Sequence, residues 1–444
     1  MANILPLHFL LQKPFSEHHF YHDGGEYISE DIMCNPKSIY FKSDYEKCCV
    51  NFSTNRKLST NYYIGADWLN DGIAIYVEPK LNQNAKETDY LQMLFSALSH
   101  PDIVKHTNDL CDIKWDEKFI PINIQQDLIT PLLVVQFLTV VQDIVRKGLK
   151  KSYYRVEDNL YSKVKGKILV GQTIRQNLLK NKPLNTYCTF EEFGVNGLEN
   201  RLLKKALIFV QRYLPTLNIK NSVKYTTEIF NYIMPAFDFV SEEVNLSDIK
   251  HSKINAFYKE YAEGIRLAKL ILKRFGYNIT NTQQETILTP PFWVDMSKLF
   301  EFYVWGLMMP KYGSEVEFQF PANYGNLDYL LTNQKIIVDA KYKIYYKEEF
   351  INLSDKRKKN VASDIRQLSG YARDTGVLLK LGELDVEQRN YVPMCLIIYP
   401  VLANDSEDHI DPIDIDSAKP IKEFVQFYKL PVKIPVLKDQ INPK

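Results

Sequence analysis

Short runs in which apolar and polar residues alternate dominate the first quarter of the chain. Residues 62–64 and 73–77 are two such runs, and the turn-forming residues Asn70, Asp71 and Gly72 separate them. A period of two is typical of β-strands, and a short polar connection of this kind is typical of a β-hairpin. We therefore predict a β-rich N-terminal domain over residues 1–127.

The apolar spacing changes to a helical period near residue 130. Thr130 and Pro131 suit the cap and first turn of a helix, and Gly148 suits its C-terminal end. The other elements predicted here are helices over residues 198–213 and 254–275, the second ending before Gly276, and extended segments over residues 163–170 and 187–193. We predict a mostly helical middle domain over residues 128–284.

A third pattern follows Pro290 and Pro291, which interrupt both helices and strands. From there a helix, two strands, another helix and further strands alternate, as they do in α/β domains. We predict an α/β domain over residues 285–444. The fold class of the whole chain is then multidomain α/β, and its 444 residues suit two or three domains.

The composition is that of a globular protein, with 45% apolar and 25% charged residues. A net charge of +1 excludes a uniformly basic nucleic-acid coat, so any contact with DNA comes from local clusters. The six cysteines lack CxxC spacing and the N-terminus lacks a signal pattern. The most apolar stretch, residues 132–141, is shorter than the roughly 20 residues of a membrane span. We expect a cytoplasmic protein without a membrane segment.

Two strands joined by a tight turn at Asn333 and Gln334 are predicted between residues 326 and 341. A two-residue loop at this point sets the register, so that Asp328 lies opposite Asp339 and Asn326 lies opposite Lys341. Strand alternation places Asp339 and Lys341 on the same face. The strand pair therefore brings two carboxylates and a lysine together.

Two carboxylates at directly paired positions repel each other unless a cation or a proton lies between them. Mg²⁺ prefers hard oxygen ligands, and we predict that Asp328 and Asp339 bind it, with Mn²⁺ able to replace it. Lys341 would orient the water that attacks a phosphodiester and neutralise developing charge. The alternative is an Asp–Lys pair exposed on an edge strand, since short motifs recur by chance.

Two helices flank this strand pair. Asp295 is predicted to cap the first, in which Glu301 lies at the edge of the apolar stripe, either as a further ligand or as a solvated side chain. Ser363 is predicted to cap the second, in which Gln367 could hold the water or a phosphate and which ends at Gly376. The basic run 356–359 would precede that helix in a loop over residues 347–360, where it could contact DNA, although a solvated loop is the commoner explanation.

Four segments in this order resemble the PD-(D/E)xK endonuclease domain of the McrC family: PPFWVDMSKLFEFYVWGLM, NLDYLL, IIVDAKYK and DIRQLSGYA. The likeness extends upstream to GADWLNDGIAIYVEPK, KVKGKILVGQTIRQN and CTFEEFGVNGLENRLLKKAL, so it spans most of the chain. Residues 1–60 are the least similar. Leu327 stands where the superfamily name has a proline, at a position that supplies no ligand.

Members of that family are nuclease subunits of McrBC-type restriction systems, which act on modified DNA of the 5-methylcytosine type. The resemblance implies that Asp328 and Asp339 bind the metal, that Lys341 is catalytic, and that Glu301 and Gln367 complete the site. It implies double-stranded, methylated DNA as substrate, Mg²⁺ as cofactor and a hexameric AAA+ GTPase as partner. The chain has no GxxxxGK[ST] motif, so GTP would be used by the partner.

The resemblance also implies that the N-terminal and middle regions contact the partner, for instance through the hairpin over residues 62–80; a plain structural hairpin is the alternative. Two other functions remain open for the chain as a whole. One is a non-catalytic adaptor that stimulates a partner NTPase, and the other is a nuclease that acts without a partner.

Overall fold

The computed structural model describes residues 15–16, 38–52, 58–70, 73–81, 88–98, 110–123, 129–213, 222–245, 258–279, 286–323, 325–382, 392–404 and 410–436. The chain forms two compact units. Unit 1 combines Met1–Ile129 with Glu285–Lys444, and unit 2 is Thr130–Gln284. The chain thus divides close to the predicted boundaries, but the first and last of the three predicted domains form one unit.

The strands of the described residues are β1 (Phe15–Ser16), β2 (Ile39–Tyr40), β3 (Cys48–Phe52), β4 (Leu58–Thr60), β5 (Tyr63–Asn70), β6 (Ile73–Glu78), β7 (Cys111–Ile113), β8 (Ile120–Asn123), β9 (Ser152–Tyr161), β10 (Lys167–Ile168), β11 (Asn185–Gly194), β12 (Thr286–Thr289), β13 (Phe292–Asp295), β14 (Val316–Ala322), β15 (Gly325–Leu331), β16 (Ile336–Ala340), β17 (Met394–Leu402), β18 (Lys419–Pro420) and β19 (Phe427–Ile434). The α-helices are α1 (Tyr90–Leu98), α2 (Ile129–Lys147), α3 (Val170–Gln176), α4 (Leu198–Tyr213), α5 (Ser222–Ile233), α6 (Lys259–Ile279), α7 (Met296–Tyr312), α8 (Asp355–Tyr371) and α9 (Thr375–Lys380). The fold is mixed α/β.

A five-stranded sheet explains why the two ends of the chain share one unit. Its order is β1-β6-β5-β13-β7, so a strand from residues 292–295 lies between two strands of the first third of the chain. Phe292 of β13 pairs with Ala66 on one side and with Ile113 on the other. The predicted hairpin is confirmed as β5 and β6, which pair antiparallel inside this sheet. Local patterns cannot reveal a pairing across so many residues.

A six-stranded sheet in unit 1 carries the predicted site. Its order is β14-β15-β16-β17-β19-β18, antiparallel from β14 to β16 and parallel from β16 through β17 to β19. Helix α7 precedes this sheet, and Asp295 caps it by accepting a hydrogen bond from the backbone N–H of Lys298 at 3.0 Å, as predicted. The helix is buried on all sides rather than along one stripe. It is therefore a central element of unit 1.

Helix α8 differs from its prediction at both ends. It begins at Asp355, eight residues before Ser363, so the basic run 356–359 is helical and not part of a loop. Ser354 occupies the cap position, and its carbonyl accepts the first helical hydrogen bond from Lys358. The helix ends at Tyr371, and Gly376 lies in the first turn of α9. The basic residues are good helix formers, and the apolar face that packs on the sheet extends back to Val361.

Unit 2 contains five helices and a three-stranded sheet of order β10-β11-β9 among its described residues. Helix α4 matches its predicted bounds, whereas α6 starts at Lys259 and continues past Gly276 to Ile279. Of the predicted extended segment 163–170, only Lys167–Ile168 is a strand, and α3 begins at Val170. Strands β9 and β11 pair over ten residues each. The region is therefore a helical unit with one long antiparallel strand pair.

Two further expectations concern the environment of the protein. Within the described part of the chain no helix combines the length and apolar character needed to cross a bilayer. The five cysteines in that part, Cys48, Cys49, Cys111, Cys188 and Cys395, are free thiols.

Candidate active site

The register of the β15–β16 hairpin places two carboxylates side by side. Tyr329 pairs with Val338 and Leu331 pairs with Ile336, which is the register predicted from a turn centred on Asn333 and Gln334. The backbone pairing stops one position before Asp328 and Asp339. There the Asp328 carboxylate accepts a hydrogen bond from the backbone N–H of Ala340 at 2.9 Å. The side chain of Asp328 thus takes the place of the next backbone pair.

The two carboxylates have different surroundings. Asp339 is 2% exposed at the end of a strand whose residues are all buried, whereas Asp328 is half-buried. Burial raises the pKa of Asp328 well above its usual value, and the negative charges of Asp339 and Glu301 raise it further. Both groups need a nearby positive charge if both are to be ionised. A cation at this position therefore stabilises the arrangement.

Lys341 follows β16 and provides one such charge. Its Nζ atom lies 2.8 Å from Oδ2 of Asp339 and donates a hydrogen bond to Oε1 of Gln367 at 3.1 Å. Burial lowers the pKa of Lys341, but the carboxylates of Asp339, Asp364 and Asp328 outweigh that effect, so the pKa is raised. Lys341 is therefore an ammonium group at neutral pH. The structure brings Asp328, Asp339, Lys341 and Gln367 together.

Glu301 of α7 lies near this group but has its own partners. Its Oε2 atom is 2.8 Å from Nζ of Lys298 and accepts a hydrogen bond from Nε2 of Gln319 at 3.2 Å. Burial raises the pKa of Glu301, and Asp339 is among the charges that raise it further. The side chain is therefore not a solvated helix-edge glutamate. It adds negative potential to the site.

Gln319 was not predicted from the sequence. The β14–β15 register would set it opposite Asp328, but the backbone ladder skips this pair and Gln319 has a φ of +52°. A non-glycine residue in this conformation is uncommon and tends to occur where a side chain is redirected for a specific contact. Here the contact is with Glu301. Only the unusual backbone conformation reveals Gln319, and no sequence pattern encodes it.

Hard oxygen donors are the chemistry that Mg²⁺ requires. Asp328 and Asp339 supply carboxylate oxygens on neighbouring strands, and this donor set fits Mg²⁺, which usually binds one or two protein carboxylates together with water and phosphate. In the described ranges no three Asp, Glu, His or Cys side chains are grouped closely enough to form a metal site.

The basic run of α8 is partly exposed. Lys356 and Lys359 are exposed, while Arg357 forms an ion pair with Glu348 at 2.9 Å. Arg366, one position before Gln367, is also exposed. These cations lie on the helix that carries a site residue, and the helical spacing spreads them around its circumference. Of these cations, Arg357 is already paired with a carboxylate of the protein.

The candidate site thus combines a carboxylate pair and a lysine at the end of a buried strand in a mixed α/β fold. The sequence model of the family described as "McrBC 5-methylcytosine restriction system component" matches residues 58–379. The match covers more than two thirds of the chain, and the protein belongs to this family. It confirms the family resemblance inferred from the sequence motifs.

Two solved structures from Thermococcus gammatolerans are similar to this chain. A half-complex of McrB AAA+ hexamers with bound McrC matches with 15% identity and a TM-score of 0.34, over 88% of this chain and 81% of the other. A cryo-EM structure of the McrBC complex matches with 18% identity and a TM-score of 0.26, over 60% and 70% respectively. No curated protein matches the chain.

Proposed function

We propose that this protein is the DNA endonuclease subunit of a restriction system that acts on 5-methylcytosine-type modified DNA in the cytoplasm. The observation that carries the proposal is the 2.8 Å ion pair between Asp339 and Lys341, with Asp328 in register beside Asp339. The sheet and its flanking helices would then be a PD-(D/E)xK endonuclease fold. The match to the restriction-system family supports the same conclusion.

In this proposal, Asp328 and Asp339 hold Mg²⁺, which Mn²⁺ can replace. When bound, Mg²⁺ supplies Lewis acidity and charge neutralisation for hydrolysis of a phosphodiester. Lys341 keeps its proton, counters the charge of Asp339 and stabilises negative charge that develops on the phosphate. Gln367 accepts a hydrogen bond from Lys341 and so fixes the direction of its ammonium group. Glu301 strengthens the negative potential that attracts the cation.

The test is cleavage of methylated and unmethylated plasmid by the protein with its partner NTPase, Mg²⁺ and GTP. We expect wild type to cleave the methylated plasmid and Asp339→Ala to lose at least a hundredfold in rate, because the variant lacks both a metal ligand and the partner of Lys341. Asp414→Ala is the matched control, since this exposed carboxylate pairs with Lys311 away from the site. We expect it to cleave within twofold of wild type.

Other outcomes would identify the other functions. Cleavage that survives Asp339→Ala would place the active site elsewhere. Stimulated NTP hydrolysis with no cleavage by wild type would indicate an adaptor. Cleavage without the NTPase would indicate a nuclease that needs no partner.

The proposed partner is an AAA+ GTPase hexamer of the McrB type, because the family is described as a component of a system and this chain has no phosphate-binding motif of its own. McrC is bound to McrB hexamers in the T. gammatolerans assembly. Here the β5–β6 hairpin is paired on both sides within its sheet, which leaves little of its described part to contact a partner. The structural role of that hairpin is therefore favoured.

Unit 2 offers a better contact surface. Of the twenty large apolar side chains that are exposed among the described residues, eleven lie between Tyr153 and Leu198. They include Val164 and Leu179, which are 61% and 76% exposed. Exposed apolar clusters of this kind typically mark protein interfaces. We propose that this part of unit 2 binds the GTPase.

Serine substitutions test this assignment. We expect Val164→Ser and Leu179→Ser together to reduce stimulation of GTP hydrolysis by the partner at least tenfold, because the exposed apolar side chains would lose their burial in the complex. Leu379→Ser is the control, since Leu379 is 62% exposed on α9 of unit 1. If wild type, the double variant and Leu379→Ser stimulate GTP hydrolysis equally, the contact lies elsewhere.

A further inference from the structure

Two lysines that follow β16 both contact helix α8. Lys341 donates to Oε1 of Gln367 at 3.1 Å. Lys343 donates to both carboxylate oxygens of Asp364, each at 2.8 Å. Asp364 and Gln367 are three residues apart on one face of α8. The two lysines belong to residues 341–343, the segment that directly follows β16. The segment and the helix are therefore linked at two neighbouring points.

The second link is the more buried of the two. Asp364 is 6% exposed and also accepts a hydrogen bond from the hydroxyl of Tyr346 at 2.6 Å. The contact between Lys341 and Gln367 is a single bond, and Gln367 is exposed. A two-oxygen contact between opposite charges in a buried setting restrains both partners more than a single bond to a neutral amide does. The Lys343–Asp364 pair therefore sets where α8 lies against the segment.

The segment is also held on its other side. The backbone N–H of Lys341 donates to the carbonyl of Ile398 in β17 at 2.8 Å, so Lys341 starts from a backbone attached to the sheet. The position of α8 then decides whether Gln367 meets its ammonium group. Because Asp364 lies one turn from Gln367 on the same helix, movement at Asp364 displaces Gln367 as well.

We propose that Lys343 and Asp364 form a positioning pair that holds α8 so that Gln367 directs the Lys341 ammonium group toward Asp339. The pair touches neither DNA nor metal in this role, and it acts through Gln367 and Lys341. This inference rests on the endonuclease function proposed above.

The experiment measures single-turnover cleavage of methylated DNA by the full chain with its partner NTPase, Mg²⁺ and GTP. Removing one charge of a buried pair leaves the other unpaired and can prevent folding. The principal variant is therefore the triple substitution Lys343→Met, Asp364→Leu and Tyr346→Phe, which removes both charges and the hydroxyl of this contact together. We expect a 10- to 100-fold lower rate at saturating DNA, since misplacement of a reacting group by about 1 Å can cost a factor of that order.

Three readouts separate positioning from a purely structural role. The DNA concentration at half-maximal rate should stay within twofold of wild type, and so should the fraction of folded protein at the assay temperature. Adding Gln367→Ala to the triple variant should lower the rate by less than threefold further, because the pair acts through Gln367. Gln367→Ala alone should lower the rate by about as much as the triple variant does.

Lys429→Met is the matched control. Nζ of Lys429 donates to the carbonyls of Tyr346 and Glu348, each at 2.8 Å, and so holds the chain just beyond Lys343 without touching α8. We expect this variant to cleave within threefold of wild type.

Four results would overturn the inference. The first is a triple variant that cleaves within threefold of wild type, and the second is a triple variant that changes only the DNA concentration at half-maximal rate. The third is a combined variant whose loss of rate is the product of the losses of the triple variant and Gln367→Ala. The fourth is a Lys429→Met variant that loses as much rate as the triple variant. If wild type does not cleave at all, or if Asp339→Ala cleaves as well as wild type, the proposed function fails and this inference fails with it.

Discussion

Gly65 shows how closely the two ends of the chain approach each other. Its φ is +156°, and a Cβ atom at this position would lie 2.0 Å from the carbonyl oxygen of Phe292 in β13. Such a distance is far inside van der Waals contact, and the neighbouring atom is backbone. Only glycine therefore allows β5 and β13 to pair here.

We expect Gly65→Ala to lower the free energy of unfolding by about 3 kcal/mol or more, because either the strand pairing breaks or the backbone shifts. Gly370→Ala is the control, since Gly370 lies in α8 and a Cβ atom added there would meet nothing within 4 Å. It should be neutral or stabilising by up to about 1 kcal/mol. Urea unfolding followed by circular dichroism measures both, and equal stability of the two variants would contradict the account of Gly65.

Glu301 provides a graded test of the candidate site. Its negative charge helps to raise the pKa of Asp328, yet its hydrogen-bond partners are Lys298 and Gln319. We expect Glu301→Gln to raise the Mg²⁺ concentration at half-maximal cleavage roughly tenfold, an effect typical of groups outside the direct ligand set. Glu315→Gln is the control, since the half-buried Glu315 carboxylate accepts a hydrogen bond from Gln334 in the hairpin turn, and it should leave this concentration unchanged. A complete loss of cleavage in Glu301→Gln would instead indicate a direct ligand.

Because β13 lies between β5 and β7, residues 285–444 contact residues 1–129 through side chains as well as through backbone pairing. Asp67 of β5 is 2% exposed. Its Oδ2 atom accepts hydrogen bonds from Nε1 of Trp293 at 2.8 Å and from Nζ of Lys114 at 2.7 Å. One carboxylate thus links three segments of unit 1, which makes it a structural centre.

We expect Asp67→Asn to lower the free energy of unfolding by about 3 kcal/mol, because Lys114 would lose its 2.7 Å ion pair and keep Glu117 at 3.8 Å. Asp44→Asn is the comparison, since Asp44 forms an exposed pair with Lys47 and should contribute less than about 1 kcal/mol. Thermal unfolding of the two variants checks this. A similar loss in both would mean that the buried carboxylate has no special role.

The whole chain divides into one continuous unit and one discontinuous unit, and this division has a consequence for folding. Residues 130–284 form unit 2, and its sheet among the described residues is built from strands of that range alone. Residues 285–444 contribute β12 and β13 to sheets completed by residues 1–129. We expect residues 130–284 to fold when produced alone and residues 285–444 to need the N-terminal segment. Circular dichroism and amide chemical-shift dispersion measure this, and cooperative unfolding of isolated 285–444 would contradict it.

Local patterns were sufficient for the elements that build the candidate site. The hairpin register follows from turn position and strand alternation, which are properties of neighbouring residues. It is confirmed by the pairing of Tyr329 with Val338, one position before Asp328 and Asp339. The cap at Asp295 follows from a short polar side chain before an apolar helix. By contrast, the cap of α8 was predicted nine residues late, because Ser354 and Ser363 are equally good caps in sequence and the packing face decides between them.

The sequence alone determined the hairpin, the carboxylate pair and the adjacent lysine, since each depends on residues close together in the chain. It also determined the family, through motifs spread over most of the chain. The tertiary structure decided which distant segments meet. It placed β13 between β5 and β7, bent the chain at Gln319 toward Glu301, and paired Lys343 with Asp364. These contacts depend on where folded elements pack in space, and no periodicity in the sequence encodes that.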